Sequence, residues 1–436
     1  MRFFNYLSLD KEKSKLISNY IFLSGLFFLP TSTFLGCLFL FPAGILGSLY
    51  NKENYFKSRW NLAFLLCGIL MAINTFLQNI ILNNDYKDIW EPSSSILGLA
   101  NWIPFFWLFW SLQPYINSNI KRKYAAMVAI SGTLPVLITG FGQYFFEWYG
   151  PFSFLNGLIV WYQKPLTAED GLTGLFNHAN YTGSWLNFIW PFCIALFLEK
   201  TQNSLKKTVS ICFLTSVGLA SFLTNSRNAW AGLFISVPIM IGTESFIWLG
   251  ALFLSIFIII AICVFPFFEG NIQNNFRSIV PNKIWFEFSP LGFEGLDIKR
   301  FDLLLNALKI SLIRPIFGIG AGAFTAIFAY QSGFWKGHSH NLLIELAISY
   351  GIPVTIILFT TTSFLLCKSC KILFFKSNKK NTNIFDKAWW VSIFIFAISQ
   401  LVDIQYFDGR ISIFYWILLA GIKNILDENL SIKSKV

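Results

Sequence analysis

The sequence is poor in charged residues and in histidine. Charged side chains make up 13% of the 436 residues, about half of the share that is usual in a soluble domain, and three residues are histidine. Apolar residues make up 55%, and apolar runs of about 20 residues recur along the whole chain. This composition excludes a soluble globular protein. It predicts an all-α, polytopic membrane protein that forms a single domain over residues 1–436.

Two signals of secreted proteins are also missing. The first fifteen residues are polar and include Lys11, Lys13 and Lys15, and no A-x-A-like site follows the first apolar run. We therefore expect a retained helix rather than a cleaved signal peptide. None of the seven cysteines falls in a loop that is assigned below to the outer side, so a disulfide framework is not expected.

The apolar segments predict about twelve transmembrane helices. Their ranges are about 16–30, 33–50, 61–82, 95–116, 125–145, 181–199, 208–225, 229–242, 245–268, 341–367, 389–406 and 411–422. Most of the 33 lysines and arginines lie in the termini and in the short loops on one side. The positive-inside rule then places both termini in the cytoplasm. The net charge of +11 thus reflects topology, and no nucleic-acid partner is expected.

Two of the outer loops are long. The first, about 146–180, ends in GLTGLFNHANYTGSW, so His178 and Asn180 lie at the start of the sixth helix. The second, about 269–340, is the large outer, periplasmic loop. It contains apolar residues that recur at i, i+3, i+4, i+7 and i+11, namely Phe301, Leu304, Leu305, Leu308 and Leu312. This spacing predicts an amphipathic helix, lying on the membrane surface or packed over the bundle, that stops at Arg314-Pro315.

Two arginines occupy unfavourable places near predicted helix starts. Arg227 lies in the short outer turn TNSRNAW, and Arg300 lies near the start of the amphipathic helix. Cations are disfavoured there because the helix dipole is already positive at its N-terminus. A bound anion would resolve both cases, since guanidinium groups and helix N-termini favour phosphate oxygens. Solvated interfacial arginines are the alternative.

Two of the three histidines lie in Gly337-His338-Ser339-His340-Asn341, at the mouth of the apolar segment LLIELAISYGIPVTIILF. One interpretation is that histidines at a membrane interface are compatible with both water and lipid and have no catalytic role. A neutral imidazole can also take a proton from an attacking hydroxyl, while arginines stabilise a departing diphosphate. These residue types predict group transfer from a phosphate-linked lipid donor to a hydroxyl acceptor. No carboxylate cluster is evident in the outer loops, so we expect no metal site and no cofactor.

The order of these motifs over residues 170–365 resembles the O-antigen ligase and O-antigen polymerase family of integral-membrane glycosyltransferases. His340-Asn341 followed by Gly351 looks like the family's His-Asn signature and glycine motif, with Val354 in place of a later glycine. Ser226-Arg227 is similar to the family's Ser-Arg at a helix start.

Two further stretches extend the resemblance. Arg300, Pro315 and Gly318-Ile319-Gly320 resemble the family's Arg, Pro and Gly-x-Gly stretch, without a tryptophan that is common after the arginine. His178-Ala179-Asn180 looks like Asn-Pro-Asn or His-Pro-Asn, with Ala179 in place of proline.

The resemblance implies a type-C-like, metal-independent glycosyltransferase of lipopolysaccharide or polysaccharide biosynthesis in the bacterial inner membrane. The donor would be an undecaprenyl-diphosphate-linked glycan, the acceptor a lipid or glycan hydroxyl, and the site would face the periplasm. His340 would be the base, with Arg227 and Arg300 on the diphosphate. The expected substrate-binding residues are His338, Asn341, His178, Asn180 and Arg314.

Two other classes of protein remain open from the sequence. An anion transporter of the bicarbonate type would also use arginines and histidines. Transporters usually bind their substrate near the bilayer midplane, however, whereas these groups cluster at the outer interface. A non-catalytic partner in polysaccharide export would need none of these residues to be arranged. Ligase and polymerase differ in the acceptor alone, and the sequence does not separate them.

Overall fold

The structure is a computed structural model that describes residues 11–80, 89–91, 93–166, 171–199, 203–242, 245–268, 270–280, 285, 289, 300–376 and 383–433. The described residues are mainly helical. The α-helices are α1 (Lys11–Phe28), α2 (Thr33–Asn51), α3 (Arg59–Ile80), α4 (Ser94–Leu99), α5 (Ile103–Ser111), α6 (Asn119–Gly132), α7 (Leu134–Phe146), α8 (Ala179–Leu198), α9 (Ser204–Leu223), α10 (Arg227–Ile241), α11 (Ser245–Val264), α12 (Asn271–Ile279), α13 (Arg300–Ser311), α14 (Ala323–Ser332), α15 (Leu342–Tyr350), α16 (Ile352–Cys370), α17 (Ile384–Ser399) and α18 (Gly409–Lys433).

The remaining regular structure is short. An antiparallel hairpin in the first long loop pairs β1 (Phe152–Phe154) with β2 (Ile159–Trp161), a feature that the sequence analysis did not predict. Short 3₁₀ turns and one π-helical turn cover Lys52–Asn54, Gln113–Tyr115, Leu155–Gly157, Pro266–Phe268 and Lys371–Lys376.

The prediction of an all-α, multi-pass membrane protein is confirmed. Each of the predicted transmembrane segments is helical for most of its length. Within the described residues, seven helical stretches are long and apolar enough to cross a membrane. The other predicted segments are helices that are shorter, interrupted or more polar at one end.

Three predicted helices are divided, each for a local reason. Pro104 and Pro135 lie in the first turns of α5 and α7, where proline is tolerated because those N–H groups have no partner within the helix. Gly351 separates α15 from α16 with φ of +88°. A Cβ atom there would lie 2.1 Å from the carbonyl oxygen of Ile316, so this turn requires glycine.

The amphipathic helix exists as α13, and the face that packs on the protein is not the predicted apolar stripe. Its buried residues are Leu303, Ala307 and Ile310, which pack in one cluster with residues of α14 and α15. The predicted apolar stripe is largely exposed instead: Phe301, Leu305, Leu308 and Leu312. Both faces are therefore apolar, because one packs on the protein and the other is left for the membrane surface.

The core of the bundle lies around α8, α17 and α18. The candidate membrane spans with the largest buried share are 179–198 and 409–430. Trp185, Trp389 and Trp416 are fully buried there, one on each of the three helices. One set of ends of these three buried helices forms the site described below.

Arg122 belongs to one of the basic segments that the positive-inside rule places on the cytoplasmic side, and the structure buries it completely. Its guanidinium donates to both oxygens of Asp386 at 2.7 and 2.9 Å, and also to Glu428. A buried arginine is tolerated only when its charge is paired in this way. Two lysines in predicted loops, Lys87 on the outer side and Lys380 on the cytoplasmic side, lie outside the described residues.

The exposed lysines offer a sharper test of membrane topology. Cysteines placed at positions 178, 300 and 336 should react with an impermeant thiol reagent from the outer side, and cysteines at 206 and 371 should react only after the membrane is opened. The reason is the positive-inside rule, and Lys206 and Lys371 are both exposed. Labelling of position 300 from the cytoplasm would contradict the site proposed below.

Candidate functional site

Most of the predicted site residues meet at one end of the bundle, which we call the site end. The start of α8, the turn 400–408 between α17 and α18, and the loop 337–341 before α15 lie together there. Hydrogen bonds join the three segments: Leu342 N–H donates to the carbonyl of Gln400 at 2.9 Å, and Asn180 donates to Asp403 at 3.0 Å.

Asp403 is the centre of the site, and the sequence analysis had placed it within a transmembrane helix without a role. The structure ends α17 at Ser399 and puts Asp403 in the turn that follows. Its buried carboxylate accepts hydrogen bonds from Asn180 Nδ2 at 3.0 Å, Gln405 Nε2 at 2.7 Å and the Ile404 N–H at 3.1 Å. These three donors fix its position and favour its ionised form.

The fourth partner of this carboxylate is His340, whose Nδ1 lies 2.7 Å from Asp403 Oδ1. An ionised carboxylate can only accept hydrogen bonds, so Nδ1 of the neutral imidazole is the protonated nitrogen. Nε2 is then left with its lone pair as an acceptor. This is the tautomer that a general base requires, and the aspartate also stabilises the imidazolium formed after proton transfer.

The backbone of His340 is held in an uncommon conformation. Its φ is +56°, in the left-handed region, where residues other than glycine are strained by roughly 1–3 kcal/mol. Three contacts maintain the conformation: His340 N–H donates to His338 Nδ1 at 3.2 Å, Asn341 Nδ2 donates to the Leu401 carbonyl at 3.0 Å, and Leu342 N–H donates to Gln400. The loop thus aims the imidazole at Asp403.

His338 supports His340 rather than duplicating it. The two rings are 4.4 Å apart between centroids, and Nδ1 of His338 is occupied by the His340 N–H. Burial, and then the neighbouring His340, lower the pKa of His338 to about 4. His338 is therefore uncharged at neutral pH, with its remaining proton on Nε2 as a donor.

His178-Ala179-Asn180 begins α8. His178 Nδ1 accepts the Asn180 N–H at 3.1 Å and so caps the helix, while the Asn180 side chain reaches Asp403. Ala179 is the first residue of α8, a position at which proline is also favoured because no backbone N–H is needed there. The replacement of the family's proline by alanine is thus compatible with the same geometry.

Asn341 and Glu345 fasten the start of α15. The side-chain oxygen of Asn341 caps the helix by accepting the N–H groups of Leu343 and Ile344 at 3.0 and 3.2 Å. The buried carboxylate of Glu345 accepts the Ser339 N–H at 2.9 Å, as expected for a carboxylate at the site mouth. The observed contacts of Asn341 are internal, and its role in substrate binding stays a prediction.

Arg227 lies at the site end and is exposed. It is the first residue of α10, and Ser226 occupies the N-cap position without a side-chain capping hydrogen bond. The turn before it packs on neighbours of the site: Leu172 N–H donates to the Leu223 carbonyl at 2.8 Å, and a Cβ at Gly183, one turn into α8 from Asn180, would lie 3.3 Å from Ser226 Cβ.

The other two predicted arginines are less closely tied to the site. Arg300 is the first residue of α13, and its side chain lies outside the described residues. Arg314 belongs to a turn that meets the far end of α15, where Ile352 N–H donates to the Pro315 carbonyl at 2.7 Å. α15 separates this turn from His340 by about 13 Å. The roles of both arginines stay predictions.

The site also contains a possible set of metal ligands. One ligand atom from each of His338, His340 and Asp403 lies within 4.8 Å of the others. Imidazole and carboxylate groups together are suited to Zn²⁺. The sequence analysis expected no metal site, but it considered only the carboxylates of the outer loops and placed Asp403 within the eleventh helix. Asp403 is 63 residues from His340 along the chain.

Asp403 had a weak signal in the sequence. The stretch QLVDIQYFDGR places Gln400, Asp403, Gln405 and Asp408 between two apolar segments, and its Asp-Gly pair is typical of a turn. Extending the eleventh helix to 406 concealed that turn. In the structure, Gln400 and Gln405 bond to one another, and Asp408 pairs with the buried Arg410 at 2.8 Å.

The fold and the site define a multi-pass helical membrane protein with a histidine–aspartate pair fixed at the ends of its central helices. Residues 210–359 match the model of a protein family described as O-Antigen ligase. Over this segment the chain is similar to the O-antigen ligase family, which is the family that the motifs predicted. This family implies a membrane glycosyltransferase of O-antigen ligase or polymerase type, acting on a lipid-linked glycan and an acceptor.

The match includes Arg227, Arg300, His338, His340 and Asn341, but ends before Asp403. His178 and Asn180 precede it. No curated protein matches the chain.

Proposed function

We propose that the protein transfers a glycan from an undecaprenyl-diphosphate donor to a hydroxyl acceptor at the periplasmic face of the inner membrane. The observation that supports this most is the 2.7 Å contact between His340 Nδ1 and Asp403 Oδ1, in a chain whose residues 210–359 match the O-antigen ligase model. It supplies an oriented base where the family motif has its histidine. The site lies at helix ends, which favours interfacial chemistry over transport through the middle of the bilayer.

The proton and the glycan move in one displacement. The acceptor hydroxyl gives its proton to Nε2 of His340 as its oxygen bonds to the anomeric carbon of the donor. The bond between that carbon and the diphosphate oxygen breaks, and the lipid diphosphate leaves as an anion. Asp403 holds the resulting imidazolium through Nδ1 and does not itself take the proton.

Arg227 and Arg300 are proposed to bind the diphosphate. Both begin helices, and the combination of an arginine with a helix N-terminus is suited to phosphate oxygens. The packing of α13 supports a place for Arg300 near the site. Leu303, Ala307 and Ile310 pack with Ile344 and Ile348 of α15, and the end of α13 leads to the end of α15. The start of α13 is then directed towards His340.

Both Arg227→Lys and Arg300→Lys should reduce transfer by about 10²- to 10³-fold, although each keeps the charge. Lysine is a point donor and cannot reproduce a bidentate guanidinium–phosphate contact. The magnitude follows from the loss of one donor to a developing anion. Initial rates with purified protein, lipid-diphosphate glycan and acceptor measure the effect.

Arg277→Lys provides the matched control, because Arg277 is an arginine of the same outer loop as Arg300 whose Nε donates to the Cys263 carbonyl at 2.8 Å. The control should keep a rate closer to that of the unaltered protein. Near-normal rates for both Arg227→Lys and Arg300→Lys would instead indicate solvated surface arginines.

A second candidate chemistry is metal-assisted activation of the acceptor. The ligand atoms of His338, His340 and Asp403 support it, because a Zn²⁺ ion there would activate a hydroxyl directly. Our proposal expects full activity after treatment with a chelator and removal of metal. Loss of activity that Zn²⁺ restores would favour the metal-assisted reaction.

The function itself is tested by reconstitution in liposomes. Purified protein should convert lipid-diphosphate glycan and acceptor into a glycosylated acceptor plus lipid diphosphate, both measured by mass spectrometry. Bicarbonate uptake into the same liposomes without product formation would identify a transporter. The lack of both activities would indicate a non-catalytic partner.

A further inference from the structure

A large basic cavity lies at the end of the bundle opposite the site. Its volume is about 1340 Å³, and its walls come from α1, the end of α2, α3, α6, α16 and α18 together with the loops beside them. The residues of α18 that line it begin at Lys423, about 20 Å along the helix from Gly409 at the site end. The cavity is therefore separate from the histidine–aspartate pair.

Positive charge dominates the lining of this cavity. Six cationic side chains line it: Lys15, Lys57, Arg59, Lys121, Lys368 and Lys423. Among the described lining residues, Asp427 is the anionic one, and it pairs with Lys423 at 2.6 Å. Such an excess of like charge around one cavity is unfavourable unless an anion enters it.

The cavity also has an apolar margin. Leu16, Trp60, Phe364 and Leu430 belong to its lining, and three of them, Leu16, Phe364 and Leu430, are exposed large apolar side chains. Lys368 Nζ lies 4.3 Å from the centre of the Phe364 ring, so cationic and apolar groups are adjacent. This combination suits an amphiphile whose head is anionic and whose tails follow the apolar surface.

We propose that this cavity binds the headgroup of an anionic phospholipid from the leaflet opposite the site. Basic pockets between transmembrane helices on the cytoplasmic side are suited to such headgroups. The volume exceeds the roughly 300–1,000 Å³ of a pocket for one small ligand, which leaves room for a headgroup and the first part of its acyl chains. The excess of cations favours a lipid with two phosphate groups, such as a diphosphatidylglycerol, over one with a single phosphate.

Lipid binding to the full-length protein tests this proposal. The protein is titrated with diphosphatidylglycerol, phosphatidylglycerol and phosphatidylethanolamine, and bound lipid is measured by native mass spectrometry. The cavity variant is Lys57→Gln/Arg59→Gln/Lys368→Gln. The control variant, Lys52→Gln/Lys206→Gln/Lys371→Gln, removes as much charge at exposed positions outside the lining.

The two-phosphate lipid should bind most tightly and the zwitterionic lipid least. The cavity variant should bind diphosphatidylglycerol at least about tenfold more weakly, at the scale expected for several lysines near an anionic lipid, and the control should stay within about twofold. Equal losses in both variants would show a general charge effect and overturn the proposal. Displacement of the lipid by inorganic pyrophosphate would do the same, by assigning the cavity to a soluble phosphate.

Discussion

Replacing His340 with alanine is expected to lower the rate of glycan transfer by about 10²- to 10⁴-fold, the usual contribution of a general base. The protein should remain folded and should still bind the lipid-linked donor, because the arginines proposed to hold the diphosphate are unchanged. Initial rates in the reconstituted assay measure the loss, and donor binding is measured on the same preparation.

A second variant separates the loss of the base from strain in the backbone. His340 has φ of +56°, which alanine adopts at a cost and asparagine tolerates better. His340→Asn should therefore fold like the unaltered protein and lose transfer to the same extent. If His340→Asn kept the normal rate, the proposed base would be wrong.

His338 supplies the control for the neighbouring imidazole. His338→Gln should cost clearly less than either change at His340, because His338 Nδ1 already accepts the His340 N–H. Loss of transfer in this variant, with normal transfer in His340→Ala, would identify His338 as the general base instead of His340.

The dependence of the transfer rate on pH also distinguishes His338 from His340. Protonation of the base removes its lone pair, so the rate should fall on the acid side of the profile. The pKa of His338 is lowered to about 4, so this residue is already neutral above pH 5 and cannot cause a fall between pH 5 and 8. His338→Gln should thus keep the acid limb of the unaltered protein.

Asp403→Asn is expected to reduce transfer by up to about 10⁴-fold, by analogy with the aspartate of a Ser-His-Asp triad. The carboxylate accepts from four N–H donors, and an amide has an acceptor on one side only. If the amide presents its NH₂ group to His340 Nδ1, the imidazole proton must move to Nε2, and the base is lost. Reconstituted transfer over a range of pH measures both the rate and the titration of the imidazole.

Asp408→Asn is the matched control for this substitution. Asp408 is an aspartate in the same turn, and its carboxylate pairs with Arg410 instead of a histidine. This variant should lower thermal stability while leaving the shape of the pH–rate profile unchanged. A normal rate in Asp403→Asn, or the same change of profile in Asp408→Asn, would remove Asp403 from the mechanism.

The position of the histidine–aspartate pair at the ends of α8, α17 and α18 explains how a membrane protein can hold such a precise arrangement. These helices are the buried centre of the bundle, and Trp185, Trp389 and Trp416 fix their packing. Hydrogen bonds join the loop 337–341 and the start of α15 to the turn that follows α17. The glycan and the lipid can approach from the outside because the pair lies at helix ends.

Several features could be predicted from the sequence because they depend on local patterns. Runs of apolar residues determine where helices cross a membrane, since each span must satisfy its own backbone hydrogen bonds. The spacing of His340-Asn341 to Gly351, and the Ser226-Arg227 pair, indicated the family that the match over 210–359 confirms. Those signals are contained within single segments.

Other features depended on which segments meet. The sequence pattern of α13 shows two apolar faces, and only the packing of Leu303 against α15 decides which one is buried. In the sequence, Arg122 resembles any cationic residue of a cytoplasmic loop. In the structure it pairs with Asp386 of α17 and Glu428 of α18. An ion pair between distant segments leaves no trace in local spacing.

By itself, the sequence determined the class of protein, the helices and the histidine, because hydropathy and short motifs act within one segment. The tertiary structure alone decided the partner of that histidine. Asp403 lies 63 residues away in a turn that only the packing of α8, α17 and α18 brings to His340. The tautomer of the imidazole depends on that contact, since a side chain's protonation follows from its neighbours in space and not from those in the chain.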